Sequence, residues 1–292
     1  MRISRALALL PVALTLGCGS NHSPTPSAPS SPSAPSPVPP PSPPSHPNLD
    51  GYVYDTAFRP VGGATVNLLD GAQAGASTKS NDFGRFTFTG TFEDPTTLRV
   101  SKEGYAAATG TARSNNGPSG TIWAFVVLDE LARPVDITGN YTLTILADTT
   151  CADIPSDVHA RTYAASIGLT PDSRSQAGTS LTLTIVDGSF LPDHNSFAIG
   201  VAGDDVAFSI YNGEDFGLVE KIAPATFLAI EGSATLSVGS APVTSMTSML
   251  SGVIDYCALQ SDTGWTYQCN SGPRTAYQHC ESNRHQLMLT RR

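Results

Sequence analysis

The sequence predicts an all-β protein in two parts: a seven-stranded sandwich over residues 49–132 and an antiparallel eight- to nine-stranded barrel or sandwich over 133–292. Three observations carry this. Apolar residues recur at every second position in short runs, as in Phe86-Thr87-Phe88 and Leu181-Thr182-Leu183-Thr184-Ile185, the period of a strand with one face buried. The runs are separated by glycine, proline, asparagine and aspartate, which suit tight turns. Hardly any stretch after Asn48 repeats at the spacing of an amphipathic helix.

Residues 1–18 form a leader. Met1 to Arg5 supplies a basic start, and the apolar run Ala6 to Leu16 is interrupted by Pro11. A transmembrane helix needs about 20 apolar residues to cross a core of about 30 Å, so an export signal fits better. With Gly17-Cys18 at its end the segment resembles a bacterial lipoprotein signal peptide. The resemblance implies that Cys18 becomes the first mature residue and carries the lipid, which makes a membrane its first partner. Gly19 and Ser20, with no Asp after Cys18, go with outer-membrane sorting, facing either the periplasm or the cell surface. That family usually has Leu three places before the cysteine and a small residue two places before, where this chain has Thr15 and Leu16. The alternative is ordinary cleavage near Gly17 to Ser20 and secretion.

Residues 19–48 read as a disordered stalk. Ser23 to Pro47 holds twelve prolines, with only Val38 available to a core. Proline-rich chain favours polyproline II, so this stretch could reach about 75 Å as a spacer.

In residues 49–132, alternation runs through Leu49 to Asp55 and Gly63 to Leu68, with a turn at Arg59-Pro60. It resumes after Asn81-Asp82-Phe83-Gly84 in Arg85 to Thr89, where both Phe rings share a face, then in Leu98 to Val100 and Ile122 to Leu128. Thr109 to Ser119 reads as an irregular loop. Gly51-x-Val53-x-Asp55, Pro60-x-x-Gly63-Ala64-x-Val66, Thr78-x-x-Asn81-Asp82-x-Gly84-Arg85-Phe86-x-Phe88, Leu98-x-Val100 and Gly104-Tyr105 resemble the carboxypeptidase regulatory-like domain. That family belongs to the prealbumin-like, carbohydrate-binding-like sandwiches. The resemblance implies an accessory module on an exported protein rather than a peptidase. Tyr52, Tyr54, Tyr105 and Trp123 are the candidate carbohydrate-binding residues, because a sugar ring stacks on an aromatic face. Tyrosines at alternate positions that merely cover a sheet face are the plainer reading.

In residues 133–292 the strand-like runs are Ile137 to Ile145, Thr162 to Leu169, Ser180 to Val186, Phe197 to Val201, Val206 to Tyr211, Thr226 to Ile230, Ala234 to Val238, Met249 to Ala258 and His285 to Thr290. A closed barrel removes exposed edges. Cys151, Cys257, Cys269 and Cys280 lie here, and an even number in an exported chain reads as two disulfides. The expectation is that Cys151 joins one of the other three across a long loop, with the last pair closing a short one. Gly139-x-Tyr141 resembles the Gly-x-Trp start of lipocalin-like barrels, which implies a cavity for a small apolar ligand. An interior filled by side chains is the competing expectation.

The net charge is −9 and only 14% of residues are charged, so a phosphate-backbone binder is excluded and no nucleic-acid partner is expected. His279 and His285 beside Cys280 raise a zinc site, but the spacings are not those of zinc modules, and no metal or cofactor is expected. Asp187 with Asp193-His194-Asn195, Asp204-Asp205, and Glu214-Asp215 read as solvated loops rather than calcium sites. Arg161 and Tyr163 are polar groups suited either to a cavity or to surface pairing. No Gly-x-Ser-x-Gly or His-Glu-x-x-His motif occurs. The functional expectation is therefore a non-enzymatic, lipid-anchored envelope protein presenting β-domains to a glycan or a surface protein. An apolar-ligand carrier and an accessory module of a secreted hydrolase system are the alternatives.

Overall fold

Alternation in the N-terminal part builds a single seven-stranded sheet. Its strands are β1 (Ser45–Asp55), β2 (Thr65–Leu68), β3 (Ser77–Lys79), β4 (Arg85–Glu93), β5 (Thr96–Ser101), β6 (Ala108–Ser114) and β7 (Ile122–Leu128). They run in the order β3-β2-β5-β6-β7-β1-β4, so that the sheet wraps almost onto itself. The computed structural model describes residues 45–114, 120–170, 180–212, 215–239, 242–261 and 273–292. The expected leader, Cys18, most of the stalk, Glu214 and Cys269 lie outside the described residues.

The inward positions make one core: Leu49 and Val53 from β1, Val66 and Leu68 from β2, Phe86 and Phe88 from β4, Leu98 and Val100 from β5, and Ile122, Val126 and Leu128 from β7. Two expectations need correction. β1 starts at Ser45, inside the expected stalk. Pro47 has no amide hydrogen to give the ladder, and it falls at the register shift where His46 pairs with Phe92 but Asn48 with Thr89. The expected loop Thr109 to Ser119 is strand β6 as far as Ser114, paired with β5 from Thr96↔Ala112 to Val100↔Ala108. Its alternation is hidden because the inward residues are small. A Cβ on Gly110 would lie 2.6 Å from Val126 Cγ2, so glycine there lets Val126 fill the space.

The C-terminal part holds β8 (Gly139–Leu146), β9 (Ala160–Thr170), β10 (Ser180–Ile185), β11 (Phe190–Ala202), β12 (Asp205–Asn212), β13 (Asp215–Phe216), β14 (Leu218–Ala223), β15 (Thr226–Ser237), β16 (Ser245–Leu259) and β17 (Arg274–Arg291). It closes as an eight-stranded antiparallel barrel. Neighbours in sequence are neighbours in space, and β17 returns to β8 with Leu289 opposite Leu143. One barrel position is shared by two strands. The upper half of β15 pairs with β12 and its lower half with β14, while β13 folds back on β12 as a short excursion, Tyr211↔Phe216. The chain re-enters at Gly217, where a Cβ would lie 2.6 Å from the Ile210 carbonyl carbon.

The barrel interior is occupied by one continuous set of buried apolar side chains, including Tyr141, Leu143, Phe197, Phe208, Leu228, Leu250 and Leu287. Tyr141 donates its hydroxyl to the Ile137 carbonyl at 2.8 Å, which satisfies a polar group in an apolar setting. Asp193 to Asn195, read from sequence as a loop, belong to strand β11.

Pro43–Arg292 forms one compact unit. The sandwich meets the barrel through small residues: Ala57 packs with Ala202 and Ala207. Thr56 Oγ1 donates to the Val201 carbonyl at 2.6 Å, and Arg59 reaches across to Asp205.

Candidate functional site

β1 and β7 lie parallel and in register, with Asp50 beside Trp123 and Tyr52 beside Phe125. Period two sends Leu49, Gly51 and Val53 inward, and therefore Tyr52 and Tyr54 outward. In β7 the same rule buries Ile122, Ala124 and Val126 and turns Trp123 and Phe125 out. Gly51 has a packing reason: a Cβ there would lie 2.3 Å from Phe86 Cζ and 2.5 Å from the Ala124 carbonyl oxygen.

The four outward rings form a strip centred on Tyr52. Its ring centroid lies 6.0 Å from Tyr54, 6.3 Å from Trp123 and 5.8 Å from Phe125, with interplanar angles of 22°, 10° and 14°. Phe125 is 65% exposed. Most of this ring's face is therefore open to solvent. Around the strip, Asp50 accepts a hydrogen bond from Thr87 Oγ1 and stands 3.6 Å from Arg85 Nη2. Arg113 on β6 is directly opposite Trp123.

Three of the four candidate sugar-binding residues, Tyr52, Tyr54 and Trp123, thus come together. Tyr105 does not join them. It bridges Glu130 on the side of Asp55 and Arg59, where burial and the Asp55 carboxylate raise its phenol above the ordinary range. Phe125 takes the place expected of Tyr105. The signal for it was present in the sequence, since Phe125 has the parity of Trp123, but it was masked by the continuous apolar run from Ile122 to Leu128.

Residues 48–122 match the family model of the carboxypeptidase regulatory-like domain. The chain carries a carboxypeptidase regulatory-like domain. The matched span runs from β1 to the first residue of β7, so it includes Tyr52 and Tyr54 and ends just before Trp123 and Phe125. Among solved structures, a protein of unknown function from Bacteroides fragilis NCTC 9343, with membrane association suggested for it, aligns over 85% of this chain and 98% of its own at 10% identity. The TM-score of 0.24 leaves that likeness without weight for fold or function. No curated protein matches.

Elsewhere, several polar clusters are held by structural partners. Beside the regulatory-like domain, a cleft of about 720 Å³ opens at the junction with the barrel, lined by Glu130, Asp136, Leu169 and Val201 among others. Arg161 and Tyr163 both point inward from β9 onto Glu220, which accepts from Arg161 Nε at 3.0 Å and Tyr163 Oη at 2.8 Å. Burial beside Glu220 raises the Tyr163 phenol well above its usual range. On the outer wall, buried Asp255 accepts from Tyr277 Oη at 2.9 Å and contacts His279 Nδ1 at 2.8 Å.

Cys151 and Cys280 are joined across 129 residues. Cys257 is disulfide-bonded as well. Cys257 and Cys280 lie on neighbouring strands but on opposite faces of the wall: Cys280 packs against the interior cluster, Cys257 against the outer one. The two histidines separate in the same way. His279 faces out, and a register shift between Leu250↔His285 and Gly252↔Ser282 adds one residue to β17, which turns His285 in. His285 lies within 4.8 Å of the two bonded sulfurs, but a disulfide presents no thiolate to a metal.

Proposed function

We propose that this chain is a non-enzymatic binding protein of a bacterial envelope, held to a membrane by a lipid on Cys18 and presenting the outer face of its regulatory-like domain to carbohydrate. The observation that carries the carbohydrate reading is the strip Tyr52, Tyr54, Trp123 and Phe125. Aromatic faces take up the apolar face of a sugar ring, and Asp50 and Arg85 beside them offer the polar groups that hydroxyls require. The regulatory-like family is itself non-catalytic, which supports a binding role. The leader, with its basic start and Gly17-Cys18 ending, supports the export and the anchor. Among the described residues no helix is long and apolar enough to cross a membrane.

The test is affinity electrophoresis of the mature chain through gels cast with individual polysaccharides. Retardation by at least one of them, weakened about two- to tenfold by Trp123→Ala and by Phe125→Ala with circular dichroism unchanged, is the expected result; one stacking contact is worth about 0.5–1.5 kcal/mol. Migration identical for wild type and both variants on every gel would remove the carbohydrate reading. The anchor is checked separately by labelling cells with a fatty-acid precursor: label on the wild type and none on Cys18→Ala is expected.

A further inference from the structure

We infer that the polysaccharide taken by the aromatic strip is an acidic one, a chain of uronic-acid units, with Arg113 as the residue that reads its carboxylates. This rests on the carbohydrate reading above and gives it a charge.

The sheet register supplies the argument. Arg113 is opposite Trp123, Trp123 is beside Asp50, and Asp50 is opposite Thr87, so these four side chains form one row on the outer face. The next row brings Phe125, Tyr52 and Arg85 together. The rings therefore stand on strands flanked by two arginine positions, Arg113 on β6 and Arg85 on β4. The two arginines are not equivalent. Arg85 is 3.6 Å from the Asp50 carboxylate, which also takes the Thr87 hydroxyl, so the charge on that flank is neutralised within the protein. Arg113 is exposed, and no acidic side chain of the described residues pairs with it. An exposed arginine without an acidic partner, on the strand position opposite Trp123, is a local exception to the net charge of −9 of the whole chain.

A planar fork of donors matches a carboxylate bidentately. Strand spacing in a sheet is about 4.8 Å, so a carboxylate on a sugar ring stacked over Trp123 falls within reach of Arg113. A neutral polysaccharide would satisfy the rings and the Asp50–Arg85 pair but leave Arg113 unused. An acidic one satisfies all three.

Polygalacturonate and its fully methyl-esterified form have the same backbone and differ in charge, so they are the probes. Binding of the mature chain is measured by isothermal titration at low and at moderate salt. The expected result is tighter binding of the acid form by about tenfold, an advantage that shrinks with salt and disappears in Arg113→Gln, while Trp123→Ala weakens both forms. Equal binding of the two forms by the wild type, or an acid preference that survives in Arg113→Gln, would overturn the inference and leave the carbohydrate reading in place. Loss of neither ligand in Trp123→Ala, or no binding of either, would count against both. Arg113→Gln alters an exposed side chain on an edge of the strip, so its thermal melting is expected to match wild type.

Discussion

Arg59, at the tip of the turn after β1, is held at both ends: its Nε donates to Asp55 at 2.6 Å within the sandwich, and its Nη1 pairs with Asp205 on the barrel. Glu130 stands 3.7 Å from Nη2. One side chain thus ties the regulatory-like domain to the barrel through carboxylates of both.

The two ends differ in burial, and this sets their energies. Asp55 is 1% exposed and Asp205 35% exposed. Arg59→Met strips a buried carboxylate of its cation. Asp55 keeps the amides of Ala57 and Arg59, so the expected loss is about 2–3 kcal/mol, short of the roughly 3–5 kcal/mol for an uncompensated buried charge. Asp205→Ala breaks a solvated contact with Arg59 and an exposed hydrogen bond from Ser237 Oγ, and should cost about 0–1 kcal/mol. Urea unfolding of the two variants checks the order; equal losses would contradict it.

Gly200 makes the same junction sensitive to volume. A Cβ there would lie 2.2 Å from the Thr56 carbonyl oxygen and 2.9 Å from Ala57 Cα. Both are backbone atoms, so neither can swing aside, and Gly200→Val must push the sandwich away from β11. The expected signature is local: faster hydrogen exchange in residues 55–61, with the barrel strands protected as before and an overall cost of about 1–3 kcal/mol. Unchanged exchange in 55–61 would show that the junction yields at no cost.

Much of this fold is legible in the sequence, and the exceptions have physical causes. Period two alone places Phe86 and Phe88 in one core and Leu181, Leu183 and Ile185 in the other. It fails for β6, where Gly110 and Ala112 carry too little side chain to register as apolar. It fails again where β12 and β14 share a barrel position, because the excursion at β13 breaks one strand into two short signals. It places His279 and His285 on one face, and a single added residue in β17 separates them. For the candidate site, parity was enough to find Tyr52, Tyr54 and Trp123. Arg113 stayed hidden inside the strand that sequence does not show, and the Arg59–Asp205 contact spans 146 residues, beyond any local pattern.

Glu220 tests how far buried polar groups stabilise the barrel. It is 5% exposed and faces Arg161 and Tyr163. Arg161→Met leaves the carboxylate inside the wall with one hydroxyl donor, and the expected loss is about 3 kcal/mol. Arg161→Met combined with Glu220→Met removes the stranded charge, and most of that loss should return, since apolar replacements of a buried pair are often neutral. Chemical unfolding of the single and double variants provides the cycle. A double variant less stable than the single would mean that the pair itself, rather than the penalty of breaking it, holds the strands together.

The pH dependence of stability should have two steps on the acid side. His285 is fully buried, and its Nδ1 accepts the Asp148 amide at 3.0 Å, so the ring is held neutral and burial lowers its folded-state pKa below 6.5. The unfolded chain then binds the proton more readily. Stability from this group is complete above about pH 6.5 and is lost as pH falls below it. Asp148 accepts from Ser282 Oγ at 2.5 Å, the Thr150 amide at 3.1 Å and Arg284 Nε at 3.0 Å, and these bonds hold its carboxyl well below the usual 3.8. Its contribution has the same sign but begins lower, lost only as pH drops below about 4. Urea unfolding free energies taken from pH 7.5 to pH 3 should therefore fall first with a slope that His285→Gln reduces, then with a second slope that Asp148→Asn reduces. The Cys151–Cys280 bond lies beside His285, so the measurement is made without reductant. Stability that stays level from pH 6.5 to pH 4.5 in the wild type would mean that His285 takes up its proton inside the folded barrel without cost.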